Sequence, residues 1–169
     1  MSSARSSRSH LFLAARDSRQ EALVQALSRG YSSTLFVSSN IPGEDKMPPG
    51  SEAFFSFVCA RVRETFPELV LLHEMRDILG PCVILGLDAD SLSVKKRCTE
   101  LEMEQTVSRL IDLDVYAQDG SQIGRGKLGM QQRCCLVCEQ SAVDCIRIKR
   151  HDYVTIIGRV HELLAPFRD

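Results

Sequence analysis

The sequence predicts an α+β fold: a single domain in which helices pack on a mixed, partly antiparallel sheet. Helical and strand patterns alternate along the chain, which is typical of domains that combine both elements. The dipeptide Asp119-Gly120 separates two strand patterns and favours a hairpin, so at least one strand pair should be antiparallel. The length of 169 residues suits one domain over residues 11–169, behind a flexible N-terminal tail over residues 1–10.

The first half of the chain alternates helices with buried strands. A capping box begins the first helix, because Ser18 and Glu21 can each bind a free N–H of its first turn, and Gly30 ends it. Proline and glycine dominate the loop after the first strand, and loops that long are often functional. The predicted elements are a helix over residues 18–29, a strand over 34–37, a loop over 39–51, a helix over 51–66 and strands over 69–72 and 83–87.

The second half predicts a third helix, the hairpin and a final helix. Caps and turn residues precede the third helix, and apolar residues at helical spacing mark one side of the last. The predicted elements are a helix over residues 91–103, strands over 110–116 and 121–125, a cysteine-rich segment, and a helix over 152–164.

Composition indicates an ordinary globular protein and argues against two classes of partner. Apolar residues make up 44% of the chain and charged residues 25%, with a net charge of −1. General binders of nucleic acid or membrane surfaces need a basic excess, so neither partner is expected. No apolar run approaches the roughly 18 residues of a membrane span. The seven cysteines, an odd number without a secretory signal, favour reduced thiols or a metal, and hence the cytoplasm.

Asp112 and Asp114 form the first candidate site. Side chains alternate along a strand, so both carboxylates should point away from a core that contains Ile111, Leu113 and Val115. Two like charges so close repel each other, and a divalent cation would neutralise them. Such oxygen ligands suit Mg²⁺, which takes its remaining ligands from water and substrate phosphates in phosphoryl or nucleotidyl transfer. The alternative is a half-exposed strand with an acidic solvent face.

Basic residues crowd the same half of the chain as the aspartates. The guanidinium group can bind two phosphate oxygens at once, so basic residues that face the aspartates would form an anion site. The alternative is a solvated basic surface. The residues are Arg109, Arg125, Arg133, Arg147, Lys149 and Arg150.

Cys135, Cys138, Cys145 and His151 form the second candidate site. Three thiolates and one imidazole can make a closed tetrahedral Zn²⁺ site, although Cys138 and Cys145 lie closer together than in familiar zinc fingers. Two alternatives stay open. The thiols could pack as small apolar side chains while His151 caps the last helix, or Cys135 and Cys138 could exchange disulfides.

Read together, these two segments resemble the holo-citrate lyase synthase family, the apo-citrate lyase phosphoribosyl-dephospho-CoA transferases. The family pattern is Gly-Arg-Leu-x-Asp-Ile-Asp-Val, a hairpin, then Arg-x-Cys-Leu-x-Cys, Ala, Cys-x-Arg and a histidine. Ser108 replaces the usual glycine, and Cys134 is extra. The matching residues are Arg109, Leu110, Asp112, Asp114, Val115, Arg125, Arg133, Cys135, Leu136, Cys138, Ala142, Cys145, Arg147 and His151. Similar upstream residues are Arg16, Asp17, Arg19, Gln20, Asn40, Ile41, Pro42, Gly43, Lys46, Glu100, Leu101 and Glu102.

The resemblance implies a nucleotidyltransferase-like fold and a group transfer. Phosphoribosyl-dephospho-CoA would pass from triphosphoribosyl-dephospho-CoA to a serine of the acyl-carrier subunit of citrate lyase, and pyrophosphate would leave. Asp112 and Asp114 would hold Mg²⁺, and Glu100 or Glu102 would be a third metal ligand or the base that deprotonates serine. Arg109 is expected beside them. The residues expected to bind the ligand are Asn40, Lys46, Arg125, Arg133 and Arg147.

Other functions stay open at this point. One is a zinc-stabilised interaction module without enzymatic activity, and another is the analogous transfer to a malonate decarboxylase carrier. A thiol oxidoreductase is a more distant alternative. The Gly-Ser pair that nucleotidyltransferases usually place upstream of the aspartate strand is missing here, which leaves open what binds the phosphates.

Overall fold

The computed structural model describes residues 2–168, with side chains from residue 9 to residue 168. In this part of the chain the strands are β1 (Ser33–Ser39), β2 (Val70–Asp77), β3 (Gly80–Leu87), β4 (Ile111–Ala117) and β5 (Gln122–Ile123). They form one sheet in the order β2-β3-β1-β4-β5, and every pairing is antiparallel. The predicted α+β class is confirmed. The sheet is antiparallel throughout rather than mixed, because β1 pairs antiparallel with both β3 and β4 in addition to the hairpins β2–β3 and β4–β5.

Helices cover both faces of the sheet. They are α1 (Ser2–Leu27), α2 (Ser51–Thr65), α3 (Ser91–Glu104), α4 (Ala142–Arg147) and α5 (Tyr153–Leu164). Helices α2, α3 and α5 pack on one face and form the main apolar core, whereas α1 packs on the other face around Leu23, Ala26 and Ile84. Among residues 2–168, no helix is both long and apolar enough to cross a bilayer.

Helix α1 begins earlier than the sequence predicts. Ser18 lies inside α1 and is not an N-cap, because the helix runs without interruption from Ser2. No glycine or proline occurs before Gly30, so nothing in the sequence stops the helix from extending toward the N-terminus. Gly30 adopts φ +79 and ends the helix as predicted. The flexible tail expected over residues 1–10 includes side chains outside the described residues and stays an expectation.

The predicted hairpin forms at Asp119-Gly120. Gly120 has φ +80, and the carboxylate of Asp119 accepts a hydrogen bond from the N–H of Ser121 at 2.8 Å. The returning strand β5 has only two residues, which pair with Val115 and Tyr116. On this edge of β4, residues 111–114 therefore have no neighbouring strand among the described residues, whereas the opposite edge is paired with β1.

Charged side chains take the place of that missing strand. The ammonium group of Lys95 donates to the carbonyl of Leu113 at 2.6 Å, and Oε1 of Glu102 accepts from the Leu113 N–H at 3.1 Å. Lys95 and Glu102 lie on α3 and are 5% and 7% exposed. Arg133 donates to the carbonyl of Ile111. Three ionic side chains thus fix the strand that bears the two aspartates.

Candidate active site and metal cluster

Asp112 and Asp114 share one face of β4. Ile111, Leu113 and Val115 are buried in the main core, while the two aspartates are partly exposed on the opposite face, the arrangement expected from the sequence. Helix α1 packs on this same face, where the small core includes Tyr116, the next residue of that face along β4. The aspartates therefore lie beside the area that α1 covers.

Asp112 is held from two sides. Its Oδ1 accepts hydrogen bonds from Nη1 of Arg133 and from Nδ2 of Asn40, the latter at 3.1 Å. The backbone N–H of Asn40 in turn donates to the carbonyl of Leu110 at 2.8 Å. These contacts fix the side chain of Asp112, which remains 37% exposed.

Asp114 is half-buried and contacts β5. Its Oδ1 accepts from Nε2 of Gln122 on β5 at 2.9 Å. Burial, and then the negative charge of Asp112, raise the pKa of Asp114 above its ordinary value, against a smaller lowering effect of Lys95. A cation bound between the two aspartates would favour the charged form of Asp114 and so lower this raised pKa.

The two glutamates expected near the aspartates lie in different surroundings. Oε1 of Glu102 accepts from the Leu113 N–H, and Oε2 accepts from Nη2 of Arg125 at 2.5 Å. A second guanidinium, that of Arg133, lies 3.6 Å from Oε1. Glu100 is on the exposed side of α3, and no contact among the described residues links it to either aspartate. Glu102 therefore holds β4 and two arginines in place.

A cationic groove lies between α1 and the loop that follows β1. It has a volume of about 570 Å³, and its charged lining within residues 9–168 consists of Arg16, Arg19, Lys46 and one acid, Glu44. Asn40 also lines it, so this groove reaches the residue that binds Asp112. Burial, and then the charge of Arg16, lower the pKa of Lys46, as expected where two cations face a common space.

Arg19 anchors this groove. Its guanidinium makes two hydrogen bonds of 2.8 Å to the carboxylate of Asp77 and one of 2.7 Å to the carbonyl of Gly80. The side chain of Arg19 is 9% exposed. This pair joins α1 to the β2–β3 hairpin, and among the described side chains it leaves Arg16 and Lys46 as the cations that line the groove.

A second groove, the apolar groove, lies on the other side of Asn40. It has a volume of about 450 Å³ and is bordered by the cysteine-rich segment and α5. Its polar and charged lining includes Asn40, Arg109, Arg133 and Lys149. Most of its surface is apolar, from side chains that include Leu136, Val137, Ile146, Tyr153 and Ile156. The cationic and apolar grooves therefore meet at Asn40, next to Asp112.

The four predicted arginines differ in which grooves they line. Arg109 and Arg133 line the apolar groove, and Nη1 of Arg109 donates to the carbonyl of Cys135. Nε of Arg133 is buried and has no hydrogen-bond partner in the described chain. Arg125 lines a third groove of about 330 Å³ together with those two. Arg147 is 73% exposed, pairs with Asp144 at 2.9 Å and lines none of the three grooves.

The predicted metal ligands converge. One ligand atom from each of Cys135, Cys138, Cys145 and His151, here named the Cys3His cluster, lies within 4.8 Å of all the others. Sγ of Cys138 is 3.5 Å from Sγ of Cys145 and 3.3 Å from Nε2 of His151. This cluster could bind a metal ion such as zinc.

Local turns bring the cluster together. The N–H of Cys135 donates to the carbonyl of Gln140 at 2.7 Å, which closes a small loop around Cys138. Ser141 caps α4 by accepting from the N–H of Asp144 at 3.4 Å, and α4 carries Cys145. Burial raises the pKa of the Cys135 thiol, but hydrogen bonds from the N–H groups of Val137 and Cys138, together with those from the thiols of Cys145 and Cys138, give a net shift downward. The loop thus favours the thiolate form.

Sequence reasoning from the residues missed three members of the site. Arg16 entered only through the resemblance, and the roles of Lys95 and Gln122 depend on which strand edges are free. A signal for Lys95 was nevertheless present. Lys95 and Glu102 are seven residues apart in a predicted helix, which places both charges on the face that Cys98 shares.

Comparison with known proteins gives consistent matches. The profile of a family described as apo-citrate lyase phosphoribosyl-dephospho-CoA transferase matches residues 9–167. A probable apo-citrate lyase phosphoribosyl-dephospho-CoA transferase of Vibrio cholerae serotype O1 is 30% identical over 133 residues, which cover 76% of the chain and 75% of that protein. The transferase of that name from Citrobacter koseri is 35% identical over 85 residues, or 50% of the chain and 46% of that protein. Protein CitXG of Leuconostoc mesenteroides subsp. cremoris is 27% identical over 135 residues, 78% of the chain but 29% of that protein.

Proposed function

Because the chain belongs to the apo-citrate lyase phosphoribosyl-dephospho-CoA transferase family, we propose that it modifies the acyl-carrier subunit of apo-citrate lyase. The matches confirm the family resemblance predicted from the sequence, and the family name supports transferase activity toward apo-citrate lyase. The donor would be triphosphoribosyl-dephospho-CoA, the acceptor a serine hydroxyl, and the second product pyrophosphate. The reaction would then be a nucleotidyl transfer.

One observation supports this proposal above the others. Asn40 lies where the cationic groove meets the apolar groove, and it binds the carboxylate of Asp112. A donor with a polyphosphate at one end and a long organic arm needs two such compartments side by side, with the reacting phosphorus between them. The cationic groove would hold the polyphosphate, and the apolar groove would hold the organic arm.

Residues of the chain would then bind the phosphate oxygens from two directions. Arg16 and Lys46 approach from the cationic groove, and Arg109 and Arg133 from the apolar groove. Arg147 is exposed and lines none of the three grooves, so we place it outside the proposed site, although the sequence predicts a ligand-binding role for it.

The aspartate pair fits the Mg²⁺ that the family resemblance implies. Each aspartate uses Oδ1 in hydrogen bonds, and Oδ2 of each makes none with the described residues. Asp112 and Asp114 can therefore offer one oxygen each on the same face of β4. When bound, Mg²⁺ would neutralise charge on the phosphate oxygens during transfer.

The bond changes of the proposed step are simple. The serine oxygen of the carrier forms a bond to phosphorus, the bond between that phosphorus and pyrophosphate breaks, and the hydroxyl proton passes to a base. Glu102 has both carboxylate oxygens engaged, so we assign it to positioning Arg125 and β4. The role of base stays a prediction for Glu100, which is exposed on α3 and lines none of the three grooves.

We also propose a cytoplasmic location. All seven cysteines are free thiols in the structure, and even the close pair Cys138 and Cys145 is not joined by a disulfide. Such thiols are typical of proteins kept in a reducing compartment.

A reconstitution experiment tests the proposed reaction. Purified protein, Mg²⁺, triphosphoribosyl-dephospho-CoA and the apo-carrier of citrate lyase are incubated together, followed by intact mass spectrometry and a pyrophosphate assay. We expect the carrier to gain the mass of the prosthetic group with one pyrophosphate released per carrier. A carrier whose acceptor serine is replaced by alanine is the matched control.

Two outcomes would overturn the proposal. One is an unmodified carrier in a mixture where an established family enzyme modifies the same preparation. The other is selective modification of a malonate decarboxylase carrier, which would keep the chemistry and replace the partner.

A further inference from the structure

We propose that the Cys3His cluster binds one structural Zn²⁺, and that this ion holds Arg109 and Arg133 at the aspartate pair. The metal site is argued from its own geometry and does not depend on the transferase activity. Only the consequence for the two arginines rests on the proposed function.

The distances within the cluster suit a tetrahedral zinc site. Zn–S bonds of about 2.3 Å and Zn–N bonds of about 2.0 to 2.1 Å place two sulfurs about 3.8 Å apart and a sulfur and a nitrogen about 3.6 Å apart. The corresponding distances here are 3.5 Å between Cys138 and Cys145, and 3.3 Å between Cys138 and His151. A disulfide needs about 2.05 Å, so the cysteines are not arranged as a disulfide.

The surroundings of the cluster argue against simple packing of apolar thiols. In the segment 124–151, all of which is described, the buried side chains are Cys135 and Cys145 alone. Strands are absent from this segment, and its one α-helix, α4, has six residues. A segment of that size without an apolar core of its own needs another source of folding free energy, and a bound metal supplies it.

The ligand set selects zinc among the common metals. Three thiolates with one imidazole are soft ligands, which exclude Mg²⁺ and Ca²⁺, and a closed four-ligand set leaves no open position for substrate. The N–H of Val137 lies 3.5 Å from Sγ of Cys135, where it can bind the thiolate of a metal ligand. The ion would therefore be structural.

The cluster is connected directly to the proposed active site. Arg133 is two residues before Cys135, and Arg109 donates to the carbonyl of that cysteine. Arg133 binds Asp112 and the edge of β4. At the other end, His151 adjoins Asp152, the N-cap of α5, whose C-terminal turns lie in the main core. A metal at the cluster thus fixes the backbone from which both arginines are positioned.

Metal content and thiol protection test the site on the intact chain. Protein purified without chelator is measured by inductively coupled plasma mass spectrometry, as wild type, Cys138→Ser and Cys134→Ala. Cys134 is exposed, adjoins the cluster and is not part of it, which makes Cys134→Ala the matched control. We expect about one zinc per chain in wild type and in the control. In Cys138→Ser we expect the affinity to fall at least about 100-fold, since loss of even an outer partner costs about 10- to 100-fold.

A second measurement covers the case in which Cys138→Ser does not fold. In folded wild-type protein, a thiol-alkylating reagent should modify Cys134 at once and the three cluster thiols only after a chelator removes the metal. Replacement of zinc by Co²⁺ should give the visible absorption of a tetrahedral cobalt thiolate centre. Metal-free folded protein, or cluster thiols that react as fast as Cys134, would overturn the site.

Hydrogen exchange tests the link to the arginines. On removal of zinc, amides of residues 125–151 should exchange at least about tenfold faster, whereas amides of β1 should be unchanged. Unchanged exchange in the segment would refute the link and leave the metal site intact. A zinc-loaded protein that fails to modify any carrier would instead refute the proposed function, so the two failures are distinguishable.

Discussion

Nδ2 of Asn40 donates to Oδ1 of Asp112 across 3.1 Å, and the same asparagine lines both grooves. Asn40 follows the last residue of β1 and continues the ladder to β4 through its own N–H. The position of this side chain is thus set by the sheet and not by the loop that begins there.

Asn40→Ala should lower the rate of carrier modification by about 10- to 100-fold, because a hydrogen bond to a charged group contributes about 1.5 to 3 kcal/mol. The melting temperature should change little, since Asn40 is exposed. Ser38→Ala is the control, because Ser38 faces Asp112 from β1 without a hydrogen bond to it among the described residues. Equal activity of the two variants would contradict a role for Asn40.

Asp114→Asn should separate activity from stability. We expect pyrophosphate release to fall at least about 100-fold, because the variant loses one anionic ligand of the proposed metal site. Stability should not fall, because burial and the charge of Asp112 raise the pKa of Asp114 and so disfavour its charged form in the folded protein. Normal pyrophosphate release by Asp114→Asn would remove the metal role.

The raised pKa of Asp114 also predicts the sign of a pH dependence. A carboxyl with a higher pKa folded than unfolded binds its proton more tightly in the native state. Wild-type stability should therefore decrease as pH rises from about 4, the ordinary Asp value, through the raised pKa. Above that pKa the loss is complete and constant. Asp114→Asn should lack this decrease, as urea denaturation at a series of pH values would reveal. The opposite sign in wild type would contradict the environment assigned to Asp114.

The contrast between local and distant contacts explains how much of this site the sequence predicts. The common face of Asp112 and Asp114 follows from strand alternation, and the Cys3His cluster from spacing, since both patterns are local. The edge contacts of Lys95 and Glu102 require knowledge that β5 pairs with only the end of β4, which is set by strand order. The prediction that Ser18 is an N-cap was wrong, because a capping box marks the start of a helix only where the preceding residues cannot be helical. No glycine or proline precedes Ser18.

Lys46→Gln should weaken binding of the triphosphate donor more than it slows the transfer. We expect KM to rise about tenfold with a smaller change in kcat, because one cation of the cationic groove is lost while Asp112 and Asp114 are untouched. Lys127→Gln removes the same charge from an exposed turn that lines none of the three grooves, and serves as the control.

The lowered pKa of Lys46 predicts how donor affinity depends on pH. Burial and the charge of Arg16 lower this pKa. Lys46 therefore loses its ammonium proton at a lower pH than an ordinary lysine does. Donor affinity should therefore decrease in the alkaline range in wild type, and this decrease should be absent in Lys46→Gln. Identical alkaline profiles for the two proteins would exclude Lys46 from the phosphate site.

Two variants of Glu102 test whether this residue positions β4 or acts as the base. Glu102→Ala leaves the N–H of Leu113 and the guanidinium of Arg125 without their partner, and breaking a buried ion pair costs about 3 to 5 kcal/mol of unfolding free energy. Glu102→Gln keeps an oxygen for the Leu113 N–H and should cost less. If Glu102 positions β4, the glutamine variant should retain most of the activity, whereas a base would lose it in both variants. Urea denaturation together with single-turnover rates of carrier modification measures both quantities. Full loss of activity in a stably folded Glu102→Gln would return the role of base to Glu102.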